Sequence, residues 1–294
     1  MSTGRVSLPS LVKVRIGVGG VVHPESVNST VNAMEELGFD SLWLSEVLTA
    51  PVLDPLVGLA FAAASNPRLK LGTTMLLPGR NPIRLAKALA SLDALSGGRL
   101  LITFVPGLTT TPEREAIGLK PGERGAAFDE TLPLLRRLWA GEPCDGVVLA
   151  PLPYQQPLEA WLGGMAPAAL ERCGRLGDGW LPSLCTPDEA AQGKRMIDEA
   201  ADRAGRTISP EHFGVSVGYA REPLSDQAAA AIAARSRGHD PRDLVPVGLG
   251  HLHDHLERFI AIGFSKFVVR PLAPPASWRD ELEDLAAAVG VLQS

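Results

Sequence analysis

The chain has 294 residues, of which 45% are hydrophobic and only 5% aromatic, so Ala, Val and Leu must build most of a sizeable core. Its net charge of −5, with basic residues scattered, argues against a nucleic-acid partner. No apolar run reaches the ~18 residues that a membrane helix needs. The N-terminus lacks the charged-then-apolar pattern of a leader, and Cys144, Cys173 and Cys185 form an odd, scattered set. Reduced thiols in a cytoplasmic protein are the expectation.

Residues 1–11 read as a loose tail. Val14–Val18 is the first strand. A helix follows, with Val27, Val31, Met34 and Leu37 on one face and Gly38 at its end. Asp40–Ser45 is the second strand, and Asp54-Pro55 opens the second helix. Leu69–Met75 is the third strand. Pro82 starts the third helix, where its missing N–H costs nothing, and Ser96-Gly97-Gly98 stops it. Leu100–Val105 is nearly all apolar, as a strand buried on both faces should be.

Thr109–Arg124 reads as a longer loop and Phe128–Trp139 as a helix. Four prolines between Gly141 and Pro157 mark an irregular excursion. Leu158–Leu162 is strand five, Trp180-Leu181 a short strand six, Phe213–Tyr219 strand seven and Phe264–Val269 strand eight. Helices are expected over Ala166–Leu176, Pro187–Ala204, Asp226–Ser236 and His253–Ile262, and Ser277 caps a last one. Strands alternating with helices imply parallel pairing through right-handed crossovers. The expected fold is α/β: a (β/α)8 TIM barrel in a single domain, 1–294. Insertions are expected after strand four and before the last helix–strand pair.

Such a barrel carries its chemistry at the C-terminal ends of its strands. The residues there include His23, Glu46, Thr74-Met75, Pro106-Gly107, Gly163-Gly164, Tyr219 and Arg270. Gly163-Gly164-Met165 precedes a helix, whose N-terminal N–H groups suit a phosphate. Arg270 could bind an anion or pair with an acid. His251, His253 and His255 invite a metal reading, but the run lacks a residue of the HxHxDH signature. No metal is expected. Gly17-Val18-Gly19-Gly20 is half a dinucleotide fingerprint, and Val22 stands where its last glycine belongs.

The stretches GFDSLWLSE, NPIRLAKALASLDALSGGRL, ERGAAFDETLPLLRRLW, WLGGMAPAALERCGRLGDGWLPS and IAIGFSKFVVRP resemble the bacterial luciferase-like superfamily, over roughly Val14–Pro271. Its members are flavin-dependent monooxygenases and deazaflavin oxidoreductases that use coenzyme F420. The resemblance implies a flavin-type ring across the strand ends, with a small-molecule substrate. It also implies a homodimer. It places a non-proline cis bond at Thr74–Met75, which makes a bulge under the ring. Glu46 and His23 become the catalytic candidates. Thr74, Met75, Arg80, Asn81, Gly107, Gly163, Gly164 and Met165 become the cofactor candidates. The composition, actinobacterial in character, favours coenzyme F420 over FMN.

Two departures stand out. Val47 occupies the family's histidine position, and Leu108 the place where relatives sometimes carry glutamate. Valine can neither donate nor accept a proton. Phe104 or Pro106, if inward, would narrow the pocket. A non-catalytic flavin-binding or cofactor-free barrel is therefore a rival reading.

Overall fold

A computed structural model describes residues 12–20, 22–48, 50–107, 117–118 and 122–294. The tail, Leu108 and most of the expected loop after the fourth strand lie outside the described residues. The strands are β1 (Arg15–Gly19), β2 (Ser41–Ser45), β3 (Lys70–Leu76), β4 (Leu100–Val105), β5 (Ala160–Leu162), β6 (Gly179–Trp180), β7 (Gly214–Tyr219) and β8 (Lys266–Pro271). All pair in parallel in the order β6-β5-β4-β3-β2-β1-β8-β7. Bridges from Trp180 to Phe213 and from Ser183 to Ser216 bring the two edges together. The Ser216 N–H donates to the Pro182 carbonyl at 2.8 Å. The result is the expected barrel, with its seam at β6 and β7.

The helices outside it are α1 (Val27–Glu36), α2 (Pro55–Ser65), α3 (Pro82–Ser96), α4 (Glu123–Trp139), α5 (Pro167–Leu176) and α6 (Pro187–Arg203). Then α7 (Asp226–Ala233), the single turn α8 (Pro241–Leu244) and α9 (Leu249–Ala261) separate β7 from β8. Of these, α7 and α8 form the insertion expected before the last helix–strand pair, which is α9 and β8. Trp278–Val289 is α10. Asn81 caps α3 by accepting from the Arg84 N–H, and Gly97 ends it at φ +67°. Left-handed backbone of this kind is cheap only for glycine.

Strand alternation divides the side chains between two cores. Phe104, Met75, Leu162, Phe267 and Val269 belong to the layer between barrel and helices. Trp43, Leu181 and Val268 form a separate cluster inside the barrel. The Trp43 indole crosses the barrel over Gly17 and Gly72, where any Cβ would overlap it. Its N–H donates to Ser41 Oγ at 2.9 Å. One tryptophan thus takes the space that two glycines leave in the interior.

The expected cis bond at Thr74–Met75 is not there; the cis bonds precede Pro151 and Pro157. The physical reason is that β3 runs through both residues without a bulge. Thr74 pairs with Ser45 and Thr103, and Met75 pairs with Phe104. α4 begins at Glu123, ahead of the expected Phe128, and holds Pro133 within it. Each histidine of the 251–255 run is in a structural setting. His251 Nδ1 donates to the Val247 carbonyl, His253 Nδ1 donates to that of Ala288, and His255 is buried against Phe259.

Candidate active site

The barrel mouth is built from the last inward residue of each strand. Going round, these are Gly19, Ser45, Leu76, Val105, Gly163, Ser183, Gly218 and Arg270, with Thr74 one inward step below Leu76 on β3. Thr74 faces inward because its ladder neighbours Ser45 and Thr103 share its face. Gly163 is packed inside: a Cβ there would lie 2.7 Å from Val105 Cγ1 and 3.3 Å from the Leu181 carbonyl. Most of the ring is small, so the mouth is left open. Phe104 is fully buried on the opposite face of β4, against the helices. It takes nothing from the mouth, and the expected narrowing by Phe104 does not occur.

The sequence candidates separate into two groups. Thr74, Gly107, Gly163 and Gly164 lie at the strand ends around the opening. Gly107, at φ +80°, sits over Leu76 and accepts from Arg124 Nη1 at 2.8 Å. Gly164, at φ +109°, accepts from Trp180 Nε1 at 3.0 Å. That bond ties the β5 turn to β6. Met165 is half-buried beside it. The N-cap of α5 is Ala166, which supplies no side-chain acceptor. The first-turn N–H groups therefore carry their partial positive charge towards whatever docks there.

Other candidates are held by the scaffold. Met75 points away from the mouth and is fully buried. Asn81 is the exposed cap of α3. Glu46 is buried, and both of its carboxylate oxygens are engaged. Oε2 accepts from the Leu76 N–H at 2.8 Å, and Oε1 pairs with Arg80. The two residues thus clamp the end of β2 to the loop after β3. A carboxylate so engaged, with one structural bond at each oxygen, positions the strand ends. His23 is exposed and heads a short turn, beside a groove between α1 and α10 that also holds Trp278 and Arg279. Val47, in the family's histidine position, is exposed.

Two features of the mouth were harder to read from sequence. Thr103 Oγ1 is buried without a hydrogen-bond partner on the inner face of β4. Arg270 bends inward at the end of β8, over Gly218. Alternation along KFVVR would have found Arg270, because Val268 and Arg270 must share a face.

A cavity of about 240 Å³ lies at the opposite end of the barrel. It is lined by strand-start residues, including Arg15, Lys70, Glu159 and Lys266, around Trp43 and Trp161.

With this geometry in place, the comparisons with known proteins can be read. The profile of the luciferase-like monooxygenase family matches residues 6–287. A protein of Mycobacterium tuberculosis, provisionally named as a coenzyme F420-dependent oxidoreductase, is 29% identical over 75% of this chain and 68% of its own. An F420-dependent glucose-6-phosphate dehydrogenase of Beutenbergia cavernae is 29% identical over 69% of this chain. The match spans 66% of that enzyme's length, just under two thirds. The crystal structure of monooxygenase RslO1 from Streptomyces bottropensis superposes with a TM-score of 0.75 at 22% identity, covering 95% of this chain and 99% of that one. The last is a likeness of fold. The family match takes in every barrel strand, and the chain belongs to the luciferase-like monooxygenase family, a class of oxidoreductases and monooxygenases.

Proposed function

We propose that this protein is an oxidoreductase that transfers hydride between coenzyme F420 and a small organic substrate at the C-terminal mouth of the barrel. The observation that carries the reading is the ring of small inward residues, Gly19, Ser45, Thr74, Gly163 and Gly218, beside an uncapped helix start at Ala166. An open ring leaves room for a planar heterocycle. The α5 N-terminus and the Gly163-Gly164 turn would hold its phosphate. The F420-dependent relatives support this choice of cofactor.

When bound, the deazaflavin supplies the hydride chemistry; the protein orients, shapes and dries the site. Gly163 permits close approach of the backbone, since even a methyl group there would collide with Val105. Thr74 and Thr103 present hydroxyls on the inner wall, and the buried Thr103 hydroxyl has no partner among the described residues. A ligand acceptor reaching it would remove the cost of that unsatisfied group. The Glu46–Arg80 pair fixes the ends of β2 and β3 and so the height of Thr74. With Val47 aliphatic and Glu46 engaged, proton exchange falls to His23, to solvent or to the substrate itself.

A second reading is an FMN-dependent monooxygenase, supported by the likeness of fold to RslO1. Fluorescence titration of purified protein with coenzyme F420 and with FMN separates the two. Tight binding of F420, weakened at least about tenfold by Gly163→Val, is expected; tenfold is about 1.4 kcal/mol. Selective binding of FMN would favour the monooxygenase. Binding of neither would overturn both readings in favour of a cofactor-free barrel. We further propose a homodimer, supported by the exposed Val57 and Phe61 on α2; a monomer in sedimentation at micromolar concentration would refute it.

A further inference from the structure

Arg270 has no hydrogen-bond or ion-pair partner among the described residues. Its direction follows from β8: Phe267 and Val269 pack outward, Val268 fills the barrel, and the next inward residue is Arg270. Its ladder partner is Gly218. Arg270 Nη2 lies 3.6 Å from where a Cβ on Gly218 would stand, so the guanidinium rests against the inner face of β7; the atom such a Cβ would overlap is Leu272 Cδ2, at 2.8 Å. Burial and a second guanidinium, that of Arg235 just beyond α7, push Arg270 below the ordinary arginine range. The Arg235 side chain also lacks a partner among the described residues. Two like charges, one of them largely buried, thus act on each other, and among the described residues no acid pairs with either. That arrangement is costly for the empty protein and favourable for a bound anion.

We propose that the substrate carries an anionic oxygen group, a carboxylate or a phosphate, received by Arg270 with help from Arg235. The planar guanidinium fork matches either group through two parallel N–H···O bonds. β8 stands across the ring from β5, with β6 and β7 between them on one side. The seat therefore faces the Gly163-Gly164 turn and holds a different group from the one docked there. Charge pairing at this wall would orient the rest of the substrate towards the middle of the mouth, and would select against neutral analogues of the same shape. The inference rests on the mouth being the active site, but not on the identity of the cofactor.

The test uses the full chain without added cofactor. Inorganic phosphate and succinate are titrated by calorimetry at fixed ionic strength, with chloride as control. The expected result is that one or both bind. The affinity should fall at least about tenfold in Arg270→Met, fall less in Arg235→Gln, and persist in Gly163→Val. Should Arg270→Met fail to fold, Arg270→Lys keeps the charge but not the fork, and a weakened affinity is expected there too. Absence of binding in the wild type, unchanged binding in both Arg270 variants, or loss only in Gly163→Val would overturn the proposal. The last outcome would mean that the ion sits at the turn. The F420 titration is read separately. Cofactor binding without an Arg270-dependent anion removes this inference alone. An Arg270-dependent anion without cofactor binding removes the cofactor assignment alone.

Discussion

The two ends of this barrel treat charge in opposite ways. At the N-terminal end, Lys266 donates to Asp40 and to Ser41, Lys70 pairs with the same Asp40, and Arg15 pairs with Glu211. Arg99 caps three backbone carbonyls, those of Ser96, Leu69 and Ala63. Each of these cations is answered by an acceptor of the protein. At the C-terminal end, Arg270 and Arg235 have none among the described residues. Paired charge around a buried tryptophan holds the N-terminal end together; at the mouth the Glu46–Arg80 pair clamps the rim, and Arg270 stands unpaired over a ring of mostly small residues. The cavity at the N-terminal end is therefore read as a feature of the scaffold.

The largest effect should come from breaking the paired end. Asp40 is the shared acceptor for two lysines, and Lys266 is buried. Burial and the nearby Arg15 pull the Lys266 ammonium down to about 7, and Asp40 is the acid in contact with it. Asp40→Asn should destabilise the protein by about 3 kcal/mol at pH 6, the scale for removing one partner of a buried pair. At pH 9 the loss should shrink, because the stranded lysine can then shed its proton. Urea unfolding at the two pH values checks this. An equal loss at both would mean that Lys266 is not the group left unpaired.

Acid unfolding must be kept apart from that network. His255 is buried and its imidazole is pushed down to about 4 by desolvation, with Arg258 adding to the effect. The unfolded chain takes up this proton near pH 6.5, the folded protein only near 4, so the unfolded state binds more protons in between. Stability should therefore fall as pH drops from about 6.5 to 4, by up to about 3 kcal/mol. His255→Leu should flatten that slope while leaving the charged base of the barrel intact. A slope unchanged in this variant would assign the acid sensitivity elsewhere.

Smaller effects sharpen the division at the mouth. Glu46→Gln removes the charge opposite Arg80 but can still accept from the Leu76 N–H. A loss of about 1–2 kcal/mol in stability is expected, from a weakened charged hydrogen bond, with turnover changed only in proportion to cofactor binding. A collapse of kcat with binding intact would instead make Glu46 a proton carrier. Asn81→Ala should cost about 1 kcal/mol, the value of an N-cap, with cofactor affinity unchanged. A specific loss of cofactor affinity would return Asn81 to the site.

The alternation of apolar runs and amphipathic stretches determined the eight strands, because burial on both faces leaves little choice of residue. Leu100–Val105 shows this most clearly: strand limits and buried character were both legible in it. Gly163-Gly164 could be marked as a turn into a helix for the same local reason. What the sequence left open was the side to which each strand-end residue points. Phe104 could have closed the mouth; the β3–β4 register turns it outward with Met75. Glu46 and Arg80 are separated by a whole strand and helix, so only the closed barrel could bring them together as a clamp. Arg270 was visible as a cation at a strand end. Its isolation was not, because being without a partner depends on every neighbour at once. Periodicity is a property of the chain, whereas register, pairing and the lack of a partner are properties of the packed barrel.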